Sequence, residues 1–146
     1  HLVRGPGFEK DPMFLESSLV SFGFRGLGQT AQGSFLDYPT SWWQHAEALY
    51  DAPLEMHYRG LDPQARYRLR VVYAGEPSRV KIRLAAGENI EVHPWIERPV
   101  PFRPLEFDIP PEATKAGELR LLWNKEPGLG GAGRGTSVAE VWLLRK

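Results

Sequence analysis

The sequence predicts an all-β domain, an antiparallel β-sandwich. Three observations carry this reading. From Leu54 to Lys146 apolar and polar residues alternate with period two, Pro- and Gly-rich breaks separate the alternating runs, and no run there has the longer period of a helix. Period-two alternation buries one face of each strand and wets the other, as an antiparallel sheet with one covered side requires.

The elements follow in order. Residues 1–12 contain Gly5-Pro6-Gly7 and no periodicity, and read as a flexible lead-in to a single domain over 13–146. A first strand is expected around Leu19–Phe24, and the Gly-, Gln- and Ser-rich stretch Gly26–Thr40 reads as a loop. Ser41-Trp42-Trp43-Gln44 matches a capping box, and Trp43, Ala46 and Tyr50 recur at helical spacing, which predicts a short helix over Trp42–Tyr50. The period then becomes two. Leu54, Met56 and Tyr58 alternate with Glu55, His57 and Arg59, and after the turn Gly60-Leu61-Asp62-Pro63, Tyr67, Leu69, Val71 and Tyr73 alternate with arginines. Val80, Ile82 and Leu84 alternate with Arg79, Lys81 and Arg83, and Ile90, Val92 and Ile96 with Glu91, His93 and Trp95. Leu105, Phe107 and Ile109 form a further strand before the single turn at Pro110–Ala113, followed by Leu119–Trp123 and Val138–Leu144. Seven or eight strands with turn signals between them fit a sandwich or jelly roll. If the strands at 66–73 and 79–84 formed a simple hairpin, Arg70 would face Arg83, so these strands are expected in different sheets or separated by an acidic strand.

Composition narrows the function classes. At 146 residues and 42% apolar, the chain can bury a core without staples and is not disordered. Lys plus Arg (18) balances Asp plus Glu (18), so no global field steers it to nucleic acid, and no apolar run is long enough to span a membrane. The absence of cysteine excludes disulfides and thiol chemistry. A chain opening on His1 without Met reads as a processed product or an excised domain.

The passage Gly60-Leu61-Asp62-Pro63-Gln64-Ala65-Arg66-Tyr67-Arg68-Leu69-Arg70-Val71 and the closing Ser137-Val138-Ala139-Glu140-Val141-Trp142-Leu143-Leu144 resemble galactose-binding-like β-jelly-roll domains. That family includes carbohydrate-binding modules appended to polysaccharide-degrading enzymes. The resemblance implies a non-catalytic module that binds a polysaccharide or oligosaccharide for a linked glycoside hydrolase or polysaccharide lyase, in an extracellular or periplasmic setting. It also implies a structural calcium, for which Glu47, Asp51 and Glu140 are the candidate oxygen ligands.

The side-chain chemistry points the same way. An indole stacks on the C–H face of a pyranose, and Trp42, Trp43 and Trp95 lie at loops or on a polar strand side. His93 and Arg98 flank Trp95, while Asn124 and Arg134 flank the glycine-rich loop, so these seven residues form the candidate carbohydrate contacts. The competing reading has Trp42, Trp43 and Trp95 plugging the ends of the sandwich, with the Trp42–Tyr50 helix as a lid. Trp123 and Trp142 lie within strands, and one or both are expected in the core. Gly128-Leu129-Gly130-Gly131-Ala132-Gly133 matches G-x-G-x-x-G, but a strand rather than a helix follows it, which excludes a dinucleotide site. The arginine stripes at 66, 68 and 70 and at 79, 81 (Lys) and 83 either bind an acidic glycan or are balanced by Glu55, Glu91, Glu106 and Asp108. His1, His45, His57 and His93 show no zinc spacing, and no carboxylate pair is fixed at glycosidase separation. The second function class is a structural sandwich packing against a catalytic domain of the same polypeptide. A small glycan-active enzyme is the third.

Overall fold

The computed structural model describes residues 20–24, 29–30, 33–34, 38–48, 51–74, 80–128 and 136–146. The lead-in at 1–12, the Gly75-Glu76-Pro77 turn and Arg134 lie outside these. The strands in chain order are β1 (Val20–Phe24), β2 (Gln29–Thr30), β3 (Gly33–Ser34), β4 (Gln44–Ala48), β5 (Leu54–Arg59), β6 (Tyr67–Tyr73), β7 (Ile82–Ala86), β8 (Ile90–Ile96), β9 (Leu105–Asp108), β10 (Glu118–Lys125) and β11 (Val138–Arg145). A five-stranded sheet runs β1-β4-β11-β6-β9 and a four-stranded sheet runs β5-β10-β7-β8, with β2 and β3 as a separate small pair. The pairings are antiparallel throughout the described residues. From β4 to β7 and from β8 to β11 each connection passes from one sheet to the other, which is jelly-roll connectivity. Between these two runs, β7 and β8 form a tight hairpin turned by Gly87 at φ +61°, a left-handed conformation that costs glycine little.

Alternation makes the core. Leu54, Met56 and Tyr58 meet Tyr67, Leu69, Val71 and Tyr73 with Ile82, Leu84, Leu119, Leu121, Trp123, Val138 and Val141 in one buried layer. Each such side chain contributes roughly 1.5–3 kcal/mol of transfer free energy. As expected from the charges, β6 and β7 lie in different sheets. Each finds acidic company: Arg68 donates to Glu106 and Asp108 of β9, and Arg83 to Glu91 of β8. On the four-stranded sheet Arg120 grips both oxygens of Glu55.

One element differs. In place of a helix over 42–50, Thr40–Trp43 form a single 3-10 turn and Gln44–Ala48 become β4. Ala46 and Ala48 point into the core, and the backbone pairs with β1 from Phe24↔Gln44 to Val20↔Ala48. Ladder bonds and alternate burial outweigh the weak helical spacing of three residues.

Two irregularities set the functional geometry. In β11 the register slips between Val138 and Glu140, so that Val138 and Val141 both face the core. Glu140, Trp142 and Leu144 then share the outer face. In β7–β8 two slips around Leu84 pair that core residue with His93 and turn the imidazole inward.

Candidate functional site

The bulge in β11 brings Glu140 beside the 3-10 turn. Its Oε2 accepts from Trp42 Nε1 at 2.7 Å and from Ser41 Oγ at 3.2 Å, while Oε1 accepts from Trp142 Nε1 at 2.6 Å. One carboxylate thus fixes two indoles, through charge-assisted bonds. Trp42 is half-buried, tilted against Tyr38 at 5.8 Å between ring centres, and Tyr38 lies 5.3 Å from Phe102. These rings cover Val72, Ala74 and Ala139 as a second small apolar cluster on the outer face of the five-stranded sheet. Trp142 stands clear of that shelf, 46% exposed. Glu140→Ala takes the acceptor from the half-buried Trp42 indole, leaves the exposed Trp142 N–H to water, and should cost about 1–2 kcal/mol of stability. Thermal denaturation reads the loss, and increased fluorescence depolarisation reports the loosened indoles; unchanged depolarisation would contradict the clamp.

Beside the plate the register lays out a polar row. Trp142 of β11 is paired with Arg70 of β6, and Arg70 with Glu106 of β9. One step along, Leu144 pairs with Arg68 and Arg68 with Asp108. Arg68 binds both acids, and Lys146 Nζ also reaches Asp108. The Arg68 guanidinium, then Lys146, lower the pKa of the Asp108 carboxyl to about 2. No side-chain partner is found for the exposed Arg70 guanidinium among the described residues. An ordered indole flanked by an unengaged guanidinium and a carboxylate offers a stacking face and hydrogen-bond groups of both polarities to a polyhydroxylated ring.

The candidates from sequence are divided by the fold. His93 is 2% exposed and belongs to the core, where Tyr73 donates to its Nε2 at 2.6 Å and its Nδ1–H donates to the Pro94 carbonyl at 2.7 Å. It therefore leaves the contact set: the β7–β8 slips overturn the simple alternation that placed it with Glu91 and Trp95. Trp95, 40% exposed, is on the outer face of the four-stranded sheet, away from Trp42. Asn124 of β10 pairs with Arg83 of β7, which stands opposite the Pro94–Trp95 step of β8, so Asn124 and Trp95 share that face. Arg98 is buried and donates to the Ala74 carbonyl at 3.4 Å. Burial pushes its guanidinium below the usual value, against the opposing effect of Glu47. Such a group supports the Ala74 strand end and is not presented to solvent. The side chain of Trp43, together with Arg134 and residues 129–133, lies outside the described residues. The strand after the glycine loop is β11, as the exclusion of a dinucleotide site required.

The three proposed calcium ligands do not converge. Glu47 is buried beside His45, whose Nε2 lies 3.4 Å from it. Asp51 accepts from Lys125 Nζ at 2.7 Å and from the Gly128 amide at 3.2 Å, and the Lys125 bond is the main cause of its lowered carboxyl pKa. Glu140 is occupied by the indoles. Among the described residues no three metal-ligating side chains form a group. These carboxylates, each with its own protein donor or cation, do not fit a calcium site.

Trp142 is the residue that alternation alone left ambiguous. Parity does not fix its side, because Val138 and Val141 stand three apart and both face the core across the bulge, which turns Glu140, Trp142 and Leu144 outward.

Comparison with protein-family models and with curated protein sequences finds no match. Among solved structures, the chain is similar to TmCBM61 in complex with β-1,4-galactotriose, with a TM-score of 0.50 at 20% identity over 97% of this chain and 95% of that one. The chain has the β-sandwich fold of that carbohydrate-binding module.

Proposed function

We propose that this domain is a non-catalytic carbohydrate-binding module whose contact surface is the outer face of the five-stranded sheet. Trp142 is the stacking plate, Glu140 and Trp42 hold it in place, and Arg70 with Glu106 addresses sugar hydroxyls. The observation that carries the reading is an indole 46% exposed and yet tied by a 2.6 Å hydrogen bond to a carboxylate that also holds Trp42. A plate ordered before binding loses little entropy on binding. The likeness in fold to a module solved with β-1,4-galactotriose supports the class and suggests galactans as the first ligands to test.

In this reading the module acts by concentration. Tethered to a glycoside hydrolase or polysaccharide lyase outside the cell or in the periplasm, it holds the partner at its polymer and raises the effective substrate concentration. In this reading it performs no chemistry, and Glu47, Asp51 and Glu140 are each engaged by a separate donor. Affinity electrophoresis and calorimetry against β-1,4-galactan, pectic and algal polysaccharides test the proposal. Retardation and heat with at least one polymer are expected. Silence across the whole panel, or release of reducing ends by the domain alone, would end it.

A further inference from the structure

The outer face continues beyond Trp142. On that side β11 presents Trp142 and Leu144, and Lys146 follows just past its end, about 13 Å from Trp142 at strand rise, a length that a short oligosaccharide covers. The run ends at a cavity of about 310 Å³, within the lower range of small-ligand pockets. Tyr67, Ile109, Pro110 and Pro111 give it apolar walls, and Arg66, Asp108 and Lys146 give it a charged rim.

The parts are held in position. The Lys146 amide donates to the Arg66 carbonyl at 2.9 Å, and the Ile109 amide to the Tyr67 carbonyl at 3.0 Å, so the rim is fixed by backbone pairing. Tyr67 spends its hydroxyl on Asp62, accepting from the Asp62 amide at 2.9 Å, which leaves the ring as wall. Among the described residues the acidic side chain of the rim, Asp108, is already matched by Arg68 and Lys146. Arg66 is exposed, and its guanidinium has no partner among the described residues. Among its described side chains the rim thus carries one unmatched positive charge, Arg66, beside an apolar wall.

We infer that this cavity is a second carbohydrate subsite that takes a uronic acid ring, with the ring's C–H face on Pro110, Pro111 and Ile109 and its carboxylate on Arg66. A neutral pyranose would use the wall but leave the guanidinium unpaired, whereas a simple carboxylate would use the guanidinium but not the wall. Only a carboxylated ring satisfies both. The inference extends the glycan reading and rests on it for a chain that spans plate and cavity, though the cavity is testable alone.

The test is amide NMR on the intact domain and on Arg66→Ala, titrated separately with D-galacturonate, D-galactose and acetate. Galacturonate should move the Ile109 and Lys146 amides, with affinity at least about tenfold weaker in Arg66→Ala, the usual size of one lost charge-assisted bond. Galactose and acetate should move them only at much higher concentration. Acetate acting as strongly as galacturonate would make this a general anion site and overturn the inference, as would a titration indifferent to Arg66→Ala. Shifts confined to the Trp142 indole would overturn the cavity and leave the glycan reading standing. Shifts at the cavity with a Trp142 indole that stays silent with every sugar would support the cavity and count against Trp142 as the plate.

Discussion

Trp142→Ala should lower affinity for the best-bound oligosaccharide roughly fiftyfold. Stacking a pyranose on the exposed indole removes on the order of 100 Å² of apolar surface from both partners, worth about 2.5 kcal/mol at 25 cal/mol per Å². The substitution is made on the solvent face, where Trp142 contacts Glu140 and lies outside the buried layer, so the variant should fold with little loss of stability. Isothermal calorimetry gives the affinity and differential scanning calorimetry the control. Trp95→Ala, on the opposite sheet, should leave affinity unchanged. If Trp95→Ala abolishes binding and Trp142→Ala does not, the contact face is the four-stranded sheet. Arg70→Ala belongs to the same series and should cost less than Trp142→Ala, because a hydrogen bond exchanged with water contributes about 1 kcal/mol.

Much of the fold was legible because it rests on period. The alternating runs at 54–59, 67–73, 105–109 and 119–123 became strands almost residue for residue, since a strand with one wet face cannot slip without turning every side chain over. The separation of β6 from β7 was legible from charge, because arginines directly opposite one another repel. What period cannot show is a bulge. One extra residue near Ala139 and two slips around Leu84 decide which side Glu140, Trp142 and His93 take, and all three are products of pairing across strands. The helix expected at 42–50 failed for a related reason: β1 supplies a partner for the backbone of β4 that local spacing does not reveal. The candidate site was therefore half visible. Trp42 and Glu140 were singled out on separate grounds, but their hydrogen bond joins residues 98 positions apart. Of Trp123 and Trp142, expected one or both in the core, Trp123 is buried and Trp142, the residue that Trp42 and Glu140 hold, is exposed.

The buried polar chain under the other sheet gives the second large effect. Trp123 Nε1 donates to Tyr73 at 3.0 Å, Tyr73 donates to His93 Nε2, and His93 Nδ1–H donates to the Pro94 carbonyl, so the sequence of bonds fixes the neutral Nδ1–H tautomer. It ties β10 and β8 of one sheet to β6 of the other. Burial is the main reason that the His93 pKa lies below its ordinary 6.5, with the Pro94 carbonyl and Glu91 opposing the shift, and burial likewise pushes the Tyr73 hydroxyl far up. The sign follows. The unfolded chain takes a proton on His93 more readily than the folded one, so stability from this group is complete above about pH 6.5 and falls as the pH drops below it, by up to about 1.4 kcal/mol per pH unit. His93→Ala should cost about 3–4 kcal/mol, from an emptied volume and an orphaned Tyr73 hydroxyl, and lower Tm by about 10 °C. In His93→Phe the ring volume is largely kept, and the slope of stability between pH 7 and pH 5 should be shallower than in the wild type. Urea denaturation across that range measures both quantities. A wild-type slope matched by His93→Phe would show that the imidazole titrates freely, and so is not held in this chain of bonds.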